Sequence, residues 1–189
     1  MRIAVLALQG AFIEHERRLQ QLGVECFEVR QAADWQQPKD GLILPGGEST
    51  AMRKLLTDLQ LLERLREDIQ QGLPVFGTCA GLILLAEKVE GGLPTLATMR
   101  FTACRNAYGR QLGSFHAKAP FQGIGEVPMT FIRAPYISEV GPEVEVLAQV
   151  DDRIVAARQG SQLVTAFHPE LDADSHVHEY FLQMVRSSH

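Results

Sequence analysis

The stretch Pro74-Val75-Phe76-Gly77-Thr78-Cys79-Ala80-Gly81-Leu82-Ile83-Leu84-Leu85 sets one cysteine between two glycines, with apolar residues on both sides. Gly77-Thr78-Cys79-Ala80-Gly81 has the Gly-x-nucleophile-x-Gly spacing of a nucleophile elbow, with cysteine where hydrolases often carry serine. So sharp a strand-to-helix turn forces its middle residue into strained dihedrals and needs small neighbours, because two backbones must approach closely. It also sets the thiol at the start of a helix, where the dipole favours thiolate and unpaired N–H groups can stabilise an oxyanion. A buried structural cysteine in a tight turn is the other reading of the same residues.

Outward from this turn, the first half of the chain alternates strand and helix patterns. Residues 2–8, 24–29, 41–44 and 74–77 read as strands. Residues 12–22, about 50–71 (with a break near Thr57-Asp58) and 80–89 read as helices, and Gly23 ends the first of them. Four such alternations predict an α/β fold with a parallel sheet covered on both faces. After Gly91-Gly92 the segments from 99 to 167 become short, β-branched and aromatic, with hairpin turns expected at 150–153 and 158–161. A last helix is expected over about 174–186. No repeat, low-complexity tract or linker divides the chain.

With 189 residues, 46% hydrophobic and 22% charged, the composition is that of one globular domain. A net charge of −5 gives no general attraction to nucleic acid or to an anionic membrane, and no apolar run reaches the roughly 20 residues of a spanning helix. Cys26, Cys79 and Cys104 are odd in number and widely spaced, which argues against a disulfide framework or structural zinc and for a reducing cytoplasm.

A reactive thiol needs a base, usually remote in sequence. His168 closes the apolar run Leu163-Val164-Thr165-Ala166-Phe167, and strand ends are where α/β folds assemble sites. Pro169 stiffens the chain so that Glu170 can turn back and orient the imidazole. Pro45-Gly46-Gly47-Glu48-Ser49-Thr50 follows another strand; its glycines leave amides free to face an anion, and Ser49 or Thr50 can cap the next helix. Without Gly-Lys-Ser/Thr it is no phosphate loop and suits an oxyanion or carboxylate cradle. Asp172, Asp174, His176, His178 and Glu179 could hold a metal, but read more simply as solvated first turns of the last helix.

Gly77-Thr78-Cys79-Ala80-Gly81 together with His168-Pro169-Glu170 resembles the class I glutamine amidotransferases. Within them, the chain is similar almost end to end to the glutaminase subunits of pyridoxal 5′-phosphate synthases. The stretches that carry this are Leu8-Gln9-Gly10 with Glu14-His15, Leu44-Pro45-Gly46-Gly47-Glu48-Ser49-Thr50, Arg105-Asn106-Ala107-Tyr108-Gly109-Arg110-Gln111, Ser114-Phe115 and Phe131-Ile132-Arg133-Ala134-Pro135.

The resemblance implies a flavodoxin-like three-layer α/β/α sandwich, its central sheet mostly parallel with an antiparallel C-terminal portion, and one glutaminase domain over residues 1–189. It implies hydrolysis of L-glutamine to glutamate and ammonia through a glutamyl thioester. Cys79 would be the nucleophile, His168 the base and then the acid, and Glu170 its orienter. Gly47 and Ala80 would donate to the oxyanion, while Gly47, Glu48, Ser49, Arg105, Ile132 and Arg133 would contact glutamine. No cofactor and no metal are implied. The ammonia would pass to a separate (β/α)8-barrel synthase subunit, in a large hetero-oligomer, whose docking near Gln9-Gly10 and the first helix switches the activity on. A Gly46-Gly47 peptide misaligned until docking would account for that dependence.

Cys104, where a polar residue is usual, His116, where an acidic one is commoner, and a shortened 91–98 segment depart from the family pattern. Two competing readings are a glutaminase serving another synthase, such as imidazole glycerol phosphate synthase, and a redox-sensing or regulatory module with a reactive Cys79. The family-specific stretches oppose the first. His168-Pro169-Glu170, which a sensor does not need, opposes the second.

Overall fold

The computed structural model describes residues 1–105 and 114–189, so residues 106–111 of the Arg105–Gln111 stretch lie outside the described residues. Five short apolar strands, β1 (Arg2–Leu6), β2 (Glu25–Val29), β3 (Gly41–Leu44), β4 (Val75–Thr78) and β12 (Gln162–Thr165), lie parallel in the order β2-β1-β3-β4-β12. Every residue of β3, β4 and β12 is buried, as a sheet covered on both faces requires. The sheet continues through antiparallel β11 (Arg153–Gln159) and β9 (Tyr136–Val140) to β6 (Met99–Cys104) and β5 (Ala86–Glu90), while β10 (Glu145–Val150) pairs with β11. Strands β7 (Ser114–Phe121) and β8 (Gly125–Ile132) form a separate hairpin. This is the expected α/β sandwich, mostly parallel in its first half and antiparallel toward the C-terminus.

Side-chain alternation along β4 assigns the two helical layers. Phe76 and Thr78 point to one face, where they meet α1 (Phe12–Gln21) and α5 (His176–Ser187): the Phe76 ring lies 6.1 Å from His15 and 5.5 Å from both His178 and Phe181. Val75 and Gly77 point to the other, toward α4 (Ala80–Leu85), with α2 (Ser49–Asp58) and α3 (Leu62–Gln70) alongside.

Three expected boundaries shift for identifiable reasons. The break in the long helix falls at Leu59–Leu61 rather than Thr57-Asp58. Gln60 takes a left-handed φ of 58° and the Leu61 N–H returns to the Leu56 carbonyl, a Schellman closure without the glycine that advertises one. Gly23 closes α1 in the same way, as anticipated. The helix expected over 80–89 stops at Leu85, because Ala86-Glu87-Lys88-Val89-Glu90 becomes β5 at the sheet edge; its charged residues read as a helical face but also protect an exposed strand edge. The last helix begins at His176, whose N–H is held by the Asp174 carboxylate at 2.8 Å.

The elbow depends on two close approaches. A Cβ on Gly77 would lie 2.6 Å from the Gly81 carbonyl oxygen, and one on Gly81 would lie 2.1 Å from the Leu44 carbonyl oxygen. Both obstacles are backbone and cannot swing aside. Gly81→Ala is therefore expected to destabilise the chain by about 2–4 kcal/mol, seen as a lower denaturation midpoint at unchanged slope, whereas Gly160→Ala at an open turn costs about 1 kcal/mol.

Candidate active site

The parallel register brings the two chemical motifs to one sheet edge. Thr78 pairs with Thr165, and the Cys79 N–H continues the ladder to the Thr165 carbonyl at 2.8 Å. Cys79 then turns through φ 52° and ψ −103°, and α4 begins at Ala80. His168 lies three residues beyond the same strand, its N–H fixed on the Thr130 carbonyl of β8 at 2.8 Å. Glu170 sits in the short helical turn Pro169–Leu171 and its Oε1 accepts from His168 Nδ1 at 2.8 Å.

Around these residues opens a cleft of about 450 Å³. Its walls include Cys79, Ala80 and His168, together with Gly47, Glu48, Ser49, Arg105, Ile132 and Arg133, so the structure gathers all these expected contacts in one place. Glu170 stands behind His168, outside the lining and buried. Arg133 holds a left-handed φ of 45°, directly after Ile132, whose carbonyl lies 4.0 Å from Cys79 Sγ. Glu48 caps α2 by accepting from the Ala51 N–H at 2.5 Å and lies 3.5 Å from the Arg105 guanidinium. That backbone bond, aided by Arg105, keeps its carboxyl below the ordinary range against a small burial cost.

The glycine loop is anchored to the loop after β1. Gly46 accepts from the Ala11 N–H at 3.0 Å, and Gln9 Oε1 accepts from the Glu48 N–H at 2.7 Å. A Cβ on Gly46 would lie 2.3 Å from His168 Cε1, so only glycine lets the imidazole rest against this loop. Because the Gly46-Gly47 peptide is trans, its N–H points opposite to the carbonyl that Ala11 holds; turning that N–H around would break the Ala11 bond. Gln9 is thus a structural member of the site, although the sequence offered no sign of its side-chain role.

Burial opposes charge on His168, yet hydrogen bonding with Cys79 and the adjoining Glu170 carboxylate raise it from 6.5 to about 10. Burial likewise opposes charge on Glu170, but contacts with His15 and His168 hold it well below the usual carboxylate range. The pair therefore favours imidazolium beside carboxylate. Of the remaining sequence candidates, His116 sits outside the cleft and shares its Nδ1 with Thr130 Oγ1 of the facing strand at 3.0 Å. Cys104 ends β6, and burial raises its thiol. His178 corrects the reading of solvated turns: it is fully buried, whereas His176 is exposed against Asp174. No group of three or more His, Cys, Asp or Glu able to hold a metal occurs among the described residues.

A sharp cysteine turn at the strand ends, faced by a His–Glu pair on a mostly parallel sandwich, defines the class I glutamine amidotransferase fold. A solved glutamine amidotransferase superposes with a TM-score of 0.92 at 42% identity, covering 97% of this chain and 98% of the other. A glutamine amidotransferase of Thermotoga maritima, at 12% identity, shares the fold with a TM-score of 0.63 over 99% of this chain and 85% of its own. The chain belongs to the SNO glutamine amidotransferase family, whose model matches residues 5–187. Its relatives include the pyridoxal 5′-phosphate synthase subunit PdxT of Methanocorpusculum labreanum, 65% identical over 185 residues and 98% of both chains. That of Streptococcus pneumoniae is 57% identical over 190 residues, again 98% of both.

The His168–Glu170 pair makes stability depend on pH with a definite sign. The folded value of His168 lies above its unfolded 6.5, so its contribution is complete below about pH 6.5 and lost as pH climbs to about 10. Glu170 is depressed, so its contribution is present above its ordinary 4.5 and lost in acid. The melting-temperature gap between wild type and His168→Gln should be widest between about pH 4.5 and 6.5 and narrow in alkali. A gap that widens toward pH 9 would contradict this electrostatic account.

Proposed function

We propose that this chain acts as one glutaminase domain, the subunit of a pyridoxal 5′-phosphate synthase that releases ammonia from L-glutamine. The observation that carries the reading is Cys79 held at φ 52° in the same cleft as His168, whose Nδ1 lies 2.8 Å from Glu170 behind it. The family match and the names of the relatives support the substrate and the synthase.

With its proton already passed to His168, Cys79 Sγ attacks the side-chain amide carbon. The negative oxygen of the tetrahedral intermediate faces the amides of Ala80, at the start of α4, and of Gly47. Collapse breaks the C–N bond; His168 returns its proton to the leaving nitrogen, and ammonia departs from a glutamyl thioester. Water, deprotonated by His168, then releases glutamate and the thiol. Glu170 keeps the imidazole in the tautomer with Nδ1 protonated and Nε2 toward the thiol. Arg105 and Arg133 match the substrate α-carboxylate, because a guanidinium fork meets two oxygens. Glu48, Ser49 and the Ile132 backbone complete the glutamine site.

The ammonia goes to a (β/α)8-barrel synthase subunit within a larger hetero-oligomer. Exposed Ile132 and Leu171 at the cleft, and exposed Ile13 on α1 beside the Pro169–Leu171 turn, give that side an apolar rim suited to a protein partner. The three cysteines are free thiols, which suits a cytoplasmic enzyme.

Ammonia release from glutamine should be measured with the pyridoxal 5′-phosphate synthase barrel present and, separately, with an imidazole glycerol phosphate synthase barrel. Stimulation by the first alone is expected, and Cys79→Ala should lower it by about 10³-fold or more. Full activity in Cys79→Ala would defeat the mechanism. A response only to the second barrel would reassign the pathway.

A further inference from the structure

Glu170 has a second neighbour besides His168. Its Oε2 lies 3.2 Å from His15 Nε2 of α1, and both side chains are fully buried. His15 Nε2 also lies 3.2 Å from Thr78 Oγ1 on β4, and His15 Nδ1 lies 2.9 Å from His178 Nε2 on α5. His178 Nδ1 has no hydrogen-bond partner. Three elements on one face of the sheet thus end in a buried line of side chains, His178–His15–Glu170–His168, that leads to Cys79.

The unpartnered nitrogen assigns direction to the line. A buried imidazole N–H with nothing to receive it is costly, while a bare ring nitrogen is tolerated more readily. His178 therefore carries its proton on Nε2 and donates to His15 Nδ1. His15 in turn carries its proton on Nε2, which it aims between Thr78 Oγ1 and Glu170 Oε2. The Thr78 contact is a hydrogen bond, while Glu170 Oε2 faces the same nitrogen at 3.2 Å in an ion-pair contact and has no hydrogen bond of its own. Burial holds His178 well below its ordinary value, with His15 and Arg18 adding to the effect and Glu170 opposing it. The charged and titratable groups facing this line are thus His15 and Arg18 from α1, His178 from α5, and Glu170 with His168 from the loop after β12.

We propose that His15, oriented by His178, is a positioning residue that holds Glu170 against His168. Arg18, one turn further along α1, donates to the backbone carbonyls of Asp172 and Asp174 just beyond Glu170, the latter at 2.5 Å. Helix α1 therefore grips the segment carrying Glu170 by both side chain and backbone. Removing the His15 ring frees Glu170 to turn from His168. The imidazolium then loses its counter-charge, and the value that stands at about 10 falls.

This inference rests on the glutaminase reading, and wild-type ammonia release with the synthase barrel tests that reading separately. In a wild-type-active complex, His15→Ala should lower kcat by about 10- to 100-fold with KM within about threefold, because the loss acts on proton transfer and not on substrate contact. The alkaline limb of its kcat/KM profile should move down by about one pH unit. His15→Gln, which can present an amide N–H near the Nε2 position, should recover kcat to within about threefold of wild type. A folded His15→Ala enzyme with wild-type kcat and pH limb, or a folded His15→Gln enzyme as slow as His15→Ala, would overturn the proposal. If His15→Ala does not fold, ¹⁵N-imidazole NMR of the wild-type chain decides. Nε2–H tautomers at both His15 and His178 are expected, and an Nδ1–H signal at His178 would overturn the directed line.

Discussion

The site hangs on one backbone event, the left-handed turn at Cys79. An L-residue at φ 52° is strained, and it persists only because its surroundings leave no alternative. The Cys79 N–H is committed to β12, while the backbone of β3 runs so close beneath Gly81 that no side chain fits there. The strain is held by three adjacent parallel strands, so the thiol position is set by the sheet as a whole.

From that turn the remaining geometry follows by strand order. Because β4 and β12 are neighbours in register, Cys79 and the segment ending at His168 leave the sheet side by side. Because β3 lies on the other flank of β4, the glycine loop after it reaches the same edge, and Gly46 accepts the imidazole against its bare Cα. The β7–β8 hairpin brings Thr130 to the His168 backbone and Ile132 to the thiol. Four segments distant in sequence thus converge, three of them from the carboxyl ends of parallel strands, where such sheets leave room for ligands.

Electrostatics divides between the two faces of the sheet. The open cleft carries arginines and a capped carboxylate suited to a small zwitterion. Beneath it, on the α1/α5 face, a buried carboxylate is flanked by two histidines and backed by a third. Burial alone would discourage charge there; the close contacts outweigh it for Glu170 and His168 but not for His178.

Much of this was legible in one dimension. The apolar runs, the elbow spacing, the strand-end His-Pro-Glu and the glycine pair are local patterns whose physics needs no distant partner, so they announced the fold and the segments that meet at the cleft. Even His178 left a trace: 178, 181, 182 and 185 follow the i, i+3, i+4, i+7 spacing of a buried helical stripe, and 12, 15, 19 and 22 step by three, four and three along one helical face that includes His15. What periodicity could not say is which buried histidine meets which, because His15 and His178 are 163 positions apart and touch only once α1 and α5 pack on the same face. Nor could it separate the charged edge strand β5 from a helical face, or place Gln9 against Glu48. The sequence by itself determined the turn, the nucleophile type and the class of sheet, since these depend on near neighbours. The tertiary structure alone decided the contacts around Glu170 and the anchoring of the glycine loop, since a hydrogen bond between remote side chains exists only after strand order has brought them within about 3 Å.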